Sequence, residues 1–353
     1  METNSYLWKK QQRNMRNIFI FFLFLIACRS GTDKTADLHN GYGEKEEELS
    51  ENDDIVISKT EYVMIEKEIK VGDYHTWIAS LLATIQENRQ YPIDEYTLIH
   101  ANPQIIESLR NTDYYWLKEK GIISDDPQKI TLLSAGDSII IPDSAMSATI
   151  QNQLNCTYLD INIPEYLLRI MRNDTILFSF PIRVGKNDKR YLAMAKTDVD
   201  LRTMAGEGQI IRINRNPAFI NPKDNKRYKV TRRDDGVVTA LPNIPWIEPE
   251  INGIRYGQLI HPTTNLETLG KAVSNGCIGL SEADAWTVFF YTPLGTKIRI
   301  RYDLDITNEA GESIRLKNIY PGMEKIASRQ KALREKREAN SAPLPPLCHC
   351  GVE

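Results

Sequence analysis

Apolar and polar positions change texture four times along the chain. Ile18 to Ala27 reads IFIFFLFLIA, an unbroken apolar run that follows the basic stretch KKQQRNMRN at Lys9 to Asn17. The run is too short to cross a bilayer comfortably, and the basic-then-apolar order predicts an export signal over residues 1–27. Residues 28–55 then lose most apolar positions. GYGEKEEELSENDD is acidic and buries no core, so it predicts a solvated tether. Between 56 and 143 apolar residues return, in IEKEIKVGDYHTWIASLLATI at one end and LLSAGDSIIIPD at the other, and predict a small compact unit of strands and helices.

From Tyr158 the texture is β. YLLRIMRNDTILFSFPIRVG holds two apolar runs joined by Asn173-Asp174, a hairpin signal. GQIIRINRNPAF and RYGQLIHP predict two more strands. TKIRIRYDL alternates Ile298, Ile300 and Tyr302 with Lys297, Arg299 and Arg301, the pattern of a half-buried strand. One helix interrupts them, capped by Ser281, with Glu282 and Asp284 in its first turn and Ala285, Val288 and Phe289 as its apolar side. The predicted fold class is α+β, a mostly-β sandwich over residues 157–305 preceded by the small unit, with a charged helical and Pro-rich tail over 306–353.

Composition narrows the function classes. The chain has 353 residues, long enough for two domains, and a net charge of −3, which gives no reason to expect nucleic acid or an acidic membrane surface as partner. Five cysteines are present: Cys28, Cys156, Cys277, Cys348 and Cys350. The odd count and uneven spacing do not read as a disulfide framework, and a bridge from Cys156 to the tail stays open. Cys348-His349-Cys350 on a Pro-rich tail makes a poor metal site. No metal or organic cofactor is implied.

The chemistry concentrates in VSNGCIGLSEADAW, residues 273–286. Cys277 follows a Ser-Asn-Gly turn and precedes a helix. A nucleophilic cysteine needs a base, oxyanion donors and access. Five histidines exist in the chain, and His261 alone lies in the β region, at the end of the strand YGQLIH. Taken singly, Cys277 reads as a small buried hydrophobe and His261 as a strand-end histidine. Together they form a candidate nucleophile and base.

Three resemblances add to this reading. Leu25-Ile26-Ala27-Cys28 resembles a bacterial lipobox, which implies lipidation at Cys28 and an envelope-located, periplasmic protein anchored by lipid, with the outer membrane as the expected site. Several acyl chains, at about 0.8 kcal/mol per buried CH₂, would anchor it firmly. The unit over 56–143 is similar to a LysM module, a strand-helix-helix-strand fold that binds glycans. Gly72-Asp73, Asn102-Pro103 and AGDSIIIPD carry the likeness, and Ile106 to Lys129 reads as an insertion.

Residues 157–305 resemble an L,D-transpeptidase catalytic domain of the YkuD type. The motif is a histidine, a spacer, then Ser/Thr-X-Gly-Cys and an apolar residue, here His261, Ser274, Gly276, Cys277 and Ile278, with Leu269-Gly270 between. The resemblance implies action on peptidoglycan stem peptides through a cysteine thioacyl intermediate. In it Cys277 is the nucleophile, His261 the base, Pro262 C=O the group that orients the imidazole, and the backbone N–H groups of Asn275, Gly276 and Cys277 the oxyanion hole, with Ser274 as a motif residue. The alternatives are an L,D-carboxypeptidase or hydrolase on the same bond, or a non-catalytic peptidoglycan-binding lipoprotein.

Two departures stand out. Asn275 replaces a common histidine. Gly279 stands where many members carry arginine or asparagine. In the family a loop at the position of the charged stretch Asn221 to Gly236 often covers the cleft, and Lys226, Arg227, Lys229, Arg232 or Arg233 could supply the missing cation there, the alternative for each being a plain solvated loop; Arg232 and Arg233 are taken as substrate-binding candidates. A catalytic Cys277 is expected to react with a mild electrophile near neutral pH, and His261→Ala to slow that labelling sharply. Labelling of Cys277 no faster than that of Cys156 in the folded protein favours the non-catalytic alternative.

Overall fold

The computed structural model describes residues 61–325 apart from 88, 123, 194, 222, 223 and 309, with a few isolated positions beyond 325. The expected export signal over 1–27, the expected tether over 28–55, Cys28, Cys348 and Cys350 lie outside the described residues. Cys156 is disulfide-bonded, and no described cysteine is its partner.

The first unit runs β1 (Glu61–Met64), β2 (Ile69–Lys70), α1 (Tyr74–Glu87), α2 (Glu95–His100), α3 (Pro103–Arg110), α4 (Tyr114–Glu119), β3 (Thr131–Leu133), β4 (Ser138–Ile141) and α5 (Ser144–Asn155). β1 pairs antiparallel with β4, and β2 with β3. Short polar residues start the helices by accepting backbone N–H groups: Asp94 from Thr97, Asp113 from Tyr115 and Trp116, Asp143 from Met146. Asn102 is fully buried. Its amide reaches Leu98 O and Ile140 O and accepts Ile140 N–H, each at 2.8 Å, which ties the α2–α3 corner to β4. Four helices stand between the strand pairs where strand-helix-helix-strand was expected. Ile106, expected to open an insertion, lies buried inside α3.

The second part comprises β5 (Thr157–Asn162), β6 (Leu167–Arg172), β7 (Thr175–Pro181), β8 (Val184–Gly185), β9 (Lys189–Leu192), β10 (Thr197–Asp200), β11 (Gly206–Asn214), β12 (Val230–Arg232), β13 (Val238–Ala240), β14 (Trp246–Ile251), β15 (Ile260–Pro262), β16 (Ala272–Ser274), β17 (Ile278–Leu280), α6 (Glu282–Tyr291) and β18 (Lys297–Arg301). Eight strands form one mixed sheet in the order β17-β15-β14-β11-β18-β5-β6-β7. The predicted hairpin is present, with Arg172 opposite Thr175 and Asn173 at φ 51°, a conformation asparagine tolerates. The strand expected over RYGQLIHP is shorter, Ile260–Pro262.

β14 was not expected, since Pro249 and two glutamates disguise it. A bulge at Ile210/Arg212 on β11 accommodates the pairing, and buried Glu248 takes both Arg212 and Arg255.

The two outer strands of this sheet meet again. Just past β7, Arg183 N–H donates to Gly279 O at 2.9 Å, and Gly279 N–H donates to Arg183 O at 3.0 Å. Gly279 lies on β17, the opposite edge, so the sheet comes near to closing as a barrel. β8 continues the seam, pairing parallel with β16.

The helix α6 starts at Ser281, whose Oγ accepts Asp284 N–H. Both of its sides are buried, because the first unit packs on the face expected to meet solvent. Asp113 accepts Ala283 N–H, Arg110 reaches Thr287 and Asp284, and Tyr74 meets Trp286 and Phe290 edge-on. Beyond residue 305 the expected tail begins instead with the hairpin β19 (Asp305–Thr307) and β20 (Ser313–Arg315), and Tyr320 is wholly buried.

The alternation in β18 holds, with Ile298 and Ile300 in the core. Its polar face is also occupied. Arg299 and Arg301 close on Asp160 of β5 at 2.7 Å each. Burial pushes the Asp160 carboxyl up, but the two guanidinium groups outweigh it and hold it below the usual range. The contribution is complete above the unfolded value of about 3.9 and is lost as pH falls through the lower folded value. Asp160→Asn is expected to cost about 3 kcal/mol in urea unfolding at pH 7, as for other broken buried pairs, with the gap to the parent narrowing below about pH 4.

Candidate active site

β15 and β17 lie parallel and adjacent, with Ile260 opposite Ile278 and His261 opposite Gly279. This brings the two motif segments side by side. The turn before β17 is held from several directions. Ser274 Oγ donates to Cys277 O at 2.6 Å and accepts Gly276 N–H at 3.2 Å. Thr203 Oγ1 donates to Gly276 O at 3.0 Å. Gly276 sits at φ 106°, and a Cβ there would lie 2.8 Å from Gln258 Nε2. Only glycine meets both demands. Gln258 is itself fixed, donating to Arg202 O and accepting Met204 N–H. Behind Thr203, Tyr320 OH donates to Gly185 O and accepts Thr203 N–H.

Cys277 is half-buried, and its Sγ accepts Leu259 N–H at 3.4 Å. Burial pushes the thiol above its ordinary value, against opposing pulls from the Leu259 N–H and the Arg183 charge. His261 Nδ1 lies 2.8 Å from Pro262 O. A carbonyl only accepts, so Nδ1 carries the proton and Nε2 keeps its lone pair. Burial, then Arg183, lowers the imidazole to about 4, with the Pro262 carbonyl opposing. Near neutral pH both groups are therefore uncharged. No hydrogen bond joins the imidazole to Sγ among the described residues. The N–H groups of Asn275 and Cys277 have no protein acceptor among them either, whereas that of Gly276, expected as an oxyanion donor, is already taken by Ser274.

Over His261 lies an aromatic wall. Trp246 stands 5.3 Å from the imidazole centroid, Phe219 packs edge-on against Trp246 at 5.0 Å, and Tyr228 packs against Phe219. Phe219 and Tyr228 belong to the stretch that leads into the β12–β13 hairpin, and α4 braces that hairpin. Tyr114 OH donates to Asp235, Tyr115 OH to Asp234, and Lys118 pairs with Asp235. Tyr115 OH also lies 2.9 Å from Thr264 O, three residues past His261.

Arg233 is not a substrate-binding cation. Its side chain is fully buried, pairs with Glu282 at 2.5 Å, donates to Thr239, and stacks 4.5 Å over Tyr114. Arg232 stands exposed on β12. The cation beside the motif is Arg183, which sequence reading missed. Its side chain lies over Gly279, where a Cβ would come within 2.5 Å of Nε. Nothing in the motif spacing points to Arg183. The signal available was the glycine itself, since a residue without a side chain leaves room for another.

Residues 157–300 match the YkuD family model, the L,D-transpeptidase catalytic domain. Two curated relatives, each named as a candidate L,D-transpeptidase YkuD, come from Bacillus licheniformis and Bacillus subtilis. The first is 28% identical over 168 residues, 48% of this chain and 76% of the relative. The second is 27% identical over 179 residues, 51% of this chain and 84% of the relative. Among solved structures, the L,D-transpeptidase LdtMt1 is 17% identical, with 41% of this chain and 58% of that one covered and a TM-score of 0.29. An L,D-transpeptidase of Xylanimonas cellulosilytica is 10% identical, with 57% of this chain and 92% of that one covered and a TM-score of 0.31. The YkuD match includes every motif residue from His261 to Ile278 and the seam residues Arg183 and Gly279. It leaves the α1–α4 unit outside.

In the region that matches the YkuD model, the turn at Gly276 is the element most sensitive to a single atom. Gly276→Ala is expected to cost about 2 kcal/mol through backbone strain and to slow iodoacetamide labelling of Cys277. Gly121→Ala, with φ of the same sign but open space around it, is expected to leave that labelling at the parental rate; mass analysis of the labelled peptide compares the two.

Proposed function

We propose that this protein is a peptidoglycan L,D-transpeptidase that works through a thioester at Cys277. The observation that carries the reading is the adjacency of β15 and β17. It sets His261 beside the Cys277 turn with Nδ1 committed to Pro262 O and Nε2 free to accept a proton. The likeness to the curated YkuD relatives supports the substrate class, a stem peptide with a bond between a diamino acid and a D-amino acid.

The steps follow from the groups present. Cys277 Sγ attacks the carbonyl carbon, and its proton passes to His261 Nε2. The oxyanion is met by the N–H groups of Asn275 and Cys277, which have no acceptor among the described residues. The C–N bond breaks, and the imidazolium returns its proton to the leaving amine. A second amine then attacks the thioester and gives up a proton to His261; the C–S bond breaks, and the imidazolium passes that proton to the departing Cys277 sulfur, restoring thiol and neutral imidazole. Water as the acceptor would give trimming instead. A resting pair of neutral thiol and neutral imidazole means that deprotonation accompanies attack rather than preceding it.

Lipidation at Cys28 would keep the domain at the membrane facing the wall, in line with this substrate. The N-terminal unit would act here as a brace for the hairpin over the cleft, whether or not it also contacts glycan.

Incubating the full chain with tetrapeptide muropeptides tests the reading by mass analysis. The expected result is an acyl adduct on Cys277 and cross-linked product, both absent in Cys277→Ala and slowed by about 10²–10⁴ in His261→Ala. Untouched muropeptides and an unmodified Cys277 would refute it. The pH profile of Cys277 acylation is expected to be level from pH 5 to 8, because the imidazole, at about 4, is already neutral over that range while the raised thiol still holds its proton. A rate that climbs steadily with pH, as attack by pre-formed thiolate requires, or one that falls across this range contradicts the assignment.

A further inference from the structure

We infer that Arg183 is the substrate-anion site of this active centre: it fills the space left by Gly279 and binds a carboxylate of the acyl-donor stem peptide. The inference rests on the transpeptidase reading for the identity of the peptide, and on geometry alone for the anion site.

Three observations converge. First, the backbone pairing of Arg183 with Gly279 across the seam fixes the side chain over β17, two residues from Cys277, and a Cβ on Gly279 would meet Arg183 Nε at 2.5 Å, Cγ at 2.8 Å and Cδ at 3.0 Å. The arginine and the glycine are therefore one structural choice. A cation from one edge of the sheet occupies what would otherwise be a side chain on the other. Second, the guanidinium is under-satisfied. Nε is buried with no hydrogen-bond partner, and Nη1 has only a long contact to Thr268 Oγ1 at 3.4 Å. Arg110, Arg169, Arg233 and Arg301 each face a carboxylate, whereas Arg183 faces none among the described residues. A buried, unpaired charge is costly, and a guanidinium is shaped to take a carboxylate through two parallel N–H groups. Third, its field reaches the reacting groups: burial lowers its own affinity for the proton, opposed by the Cys277 and Tyr228 charges, and it acts in turn on both Cys277 and His261.

The stem peptide offers two carboxylates near the bond in question, the terminal one on the D-amino acid and the side-chain one of a diaminopimelate-type residue. Either matches the same guanidinium.

Two haloacetates provide a test that needs no peptide. Iodoacetate is an anion and iodoacetamide is neutral, so the ratio of their alkylation rates at Cys277 cancels the thiolate fraction and reports an anion site beside the sulfur. In the full chain this ratio is expected to fall about fivefold to tenfold in Arg183→Gln, the scale of one nearby charge, and to be partly kept in Arg183→Lys. An unchanged ratio in both variants overturns the inference. Because the ratio is internal to each variant, and the backbone pair with Gly279 does not involve the side chain, partial loss of stability does not confound it.

The peptide arm compares acylation of Cys277 by a stem tetrapeptide with that by its C-terminal amide and by its lysine-for-diaminopimelate analogue. The preference for whichever carboxylate Arg183 binds is expected to shrink from about tenfold to near unity in Arg183→Gln. If Arg183→Gln slows all three peptides equally, the inference is wrong. If no peptide acylates the parent protein while the haloacetate ratio still falls in Arg183→Gln, the transpeptidase reading fails and the anion site stands.

Discussion

The backbone pair between Arg183 and Gly279 is the constraint on which the rest of this site depends. Without it, β7 and β17 would be open edges at opposite ends of an eight-stranded sheet. With it, the sheet turns back on itself, β8 pairs with β16, and the turn holding Cys277 is gripped from the side. The same contact explains a local anomaly. A residue with a side chain at 279 would collide with the arginine that crosses it, so closure of the sheet and the chemistry beside the cysteine are decided by one pair of residues.

The second dependence runs through the N-terminal unit. α6 carries the charge pair Glu282–Arg233 and is covered by α3, so the helix that follows the cysteine belongs to two cores at once. α4 then reaches past α6 to hold Asp234 and Asp235 on the β12–β13 hairpin. Phe219 and Tyr228 lead from this hairpin to Trp246 and on to His261. A module that looks detachable along the chain is, in space, part of the support for the imidazole. Aromatic and buried ionic contacts of this kind transmit displacement because a packed interior does not deform gradually.

Electrostatically the site is quiet at rest. Burial keeps the thiol protonated and the imidazole neutral, and Arg183 reinforces the second effect while easing the first. An ion pair of thiolate and imidazolium would require a site better solvated than this one. Pro262, which has no N–H of its own, still contributes the carbonyl that selects the tautomer.

Much of the catalytic region was legible in the chain itself. The Asn173-Asp174 hairpin, the Ser281-capped helix, the alternation in Lys297–Arg301 and the pairing of His261 with the Ser274–Cys277 turn all rest on local rules: turn chemistry, capping, side-chain period and motif order. What the chain could not reveal is whatever depends on partners far apart in sequence. Arg233 looked like an exposed loop cation, and tertiary packing buried it against Glu282. Arg183 looked like one polar residue after a strand, and closure of the sheet laid it over Gly279, two residues from Cys277. The polar face of β18 looked like a solvent face until Asp160 was laid against it. Short-range preferences set each element by itself, but the environment of a charge is set by what the fold stacks on it, and only the folded chain contains that information.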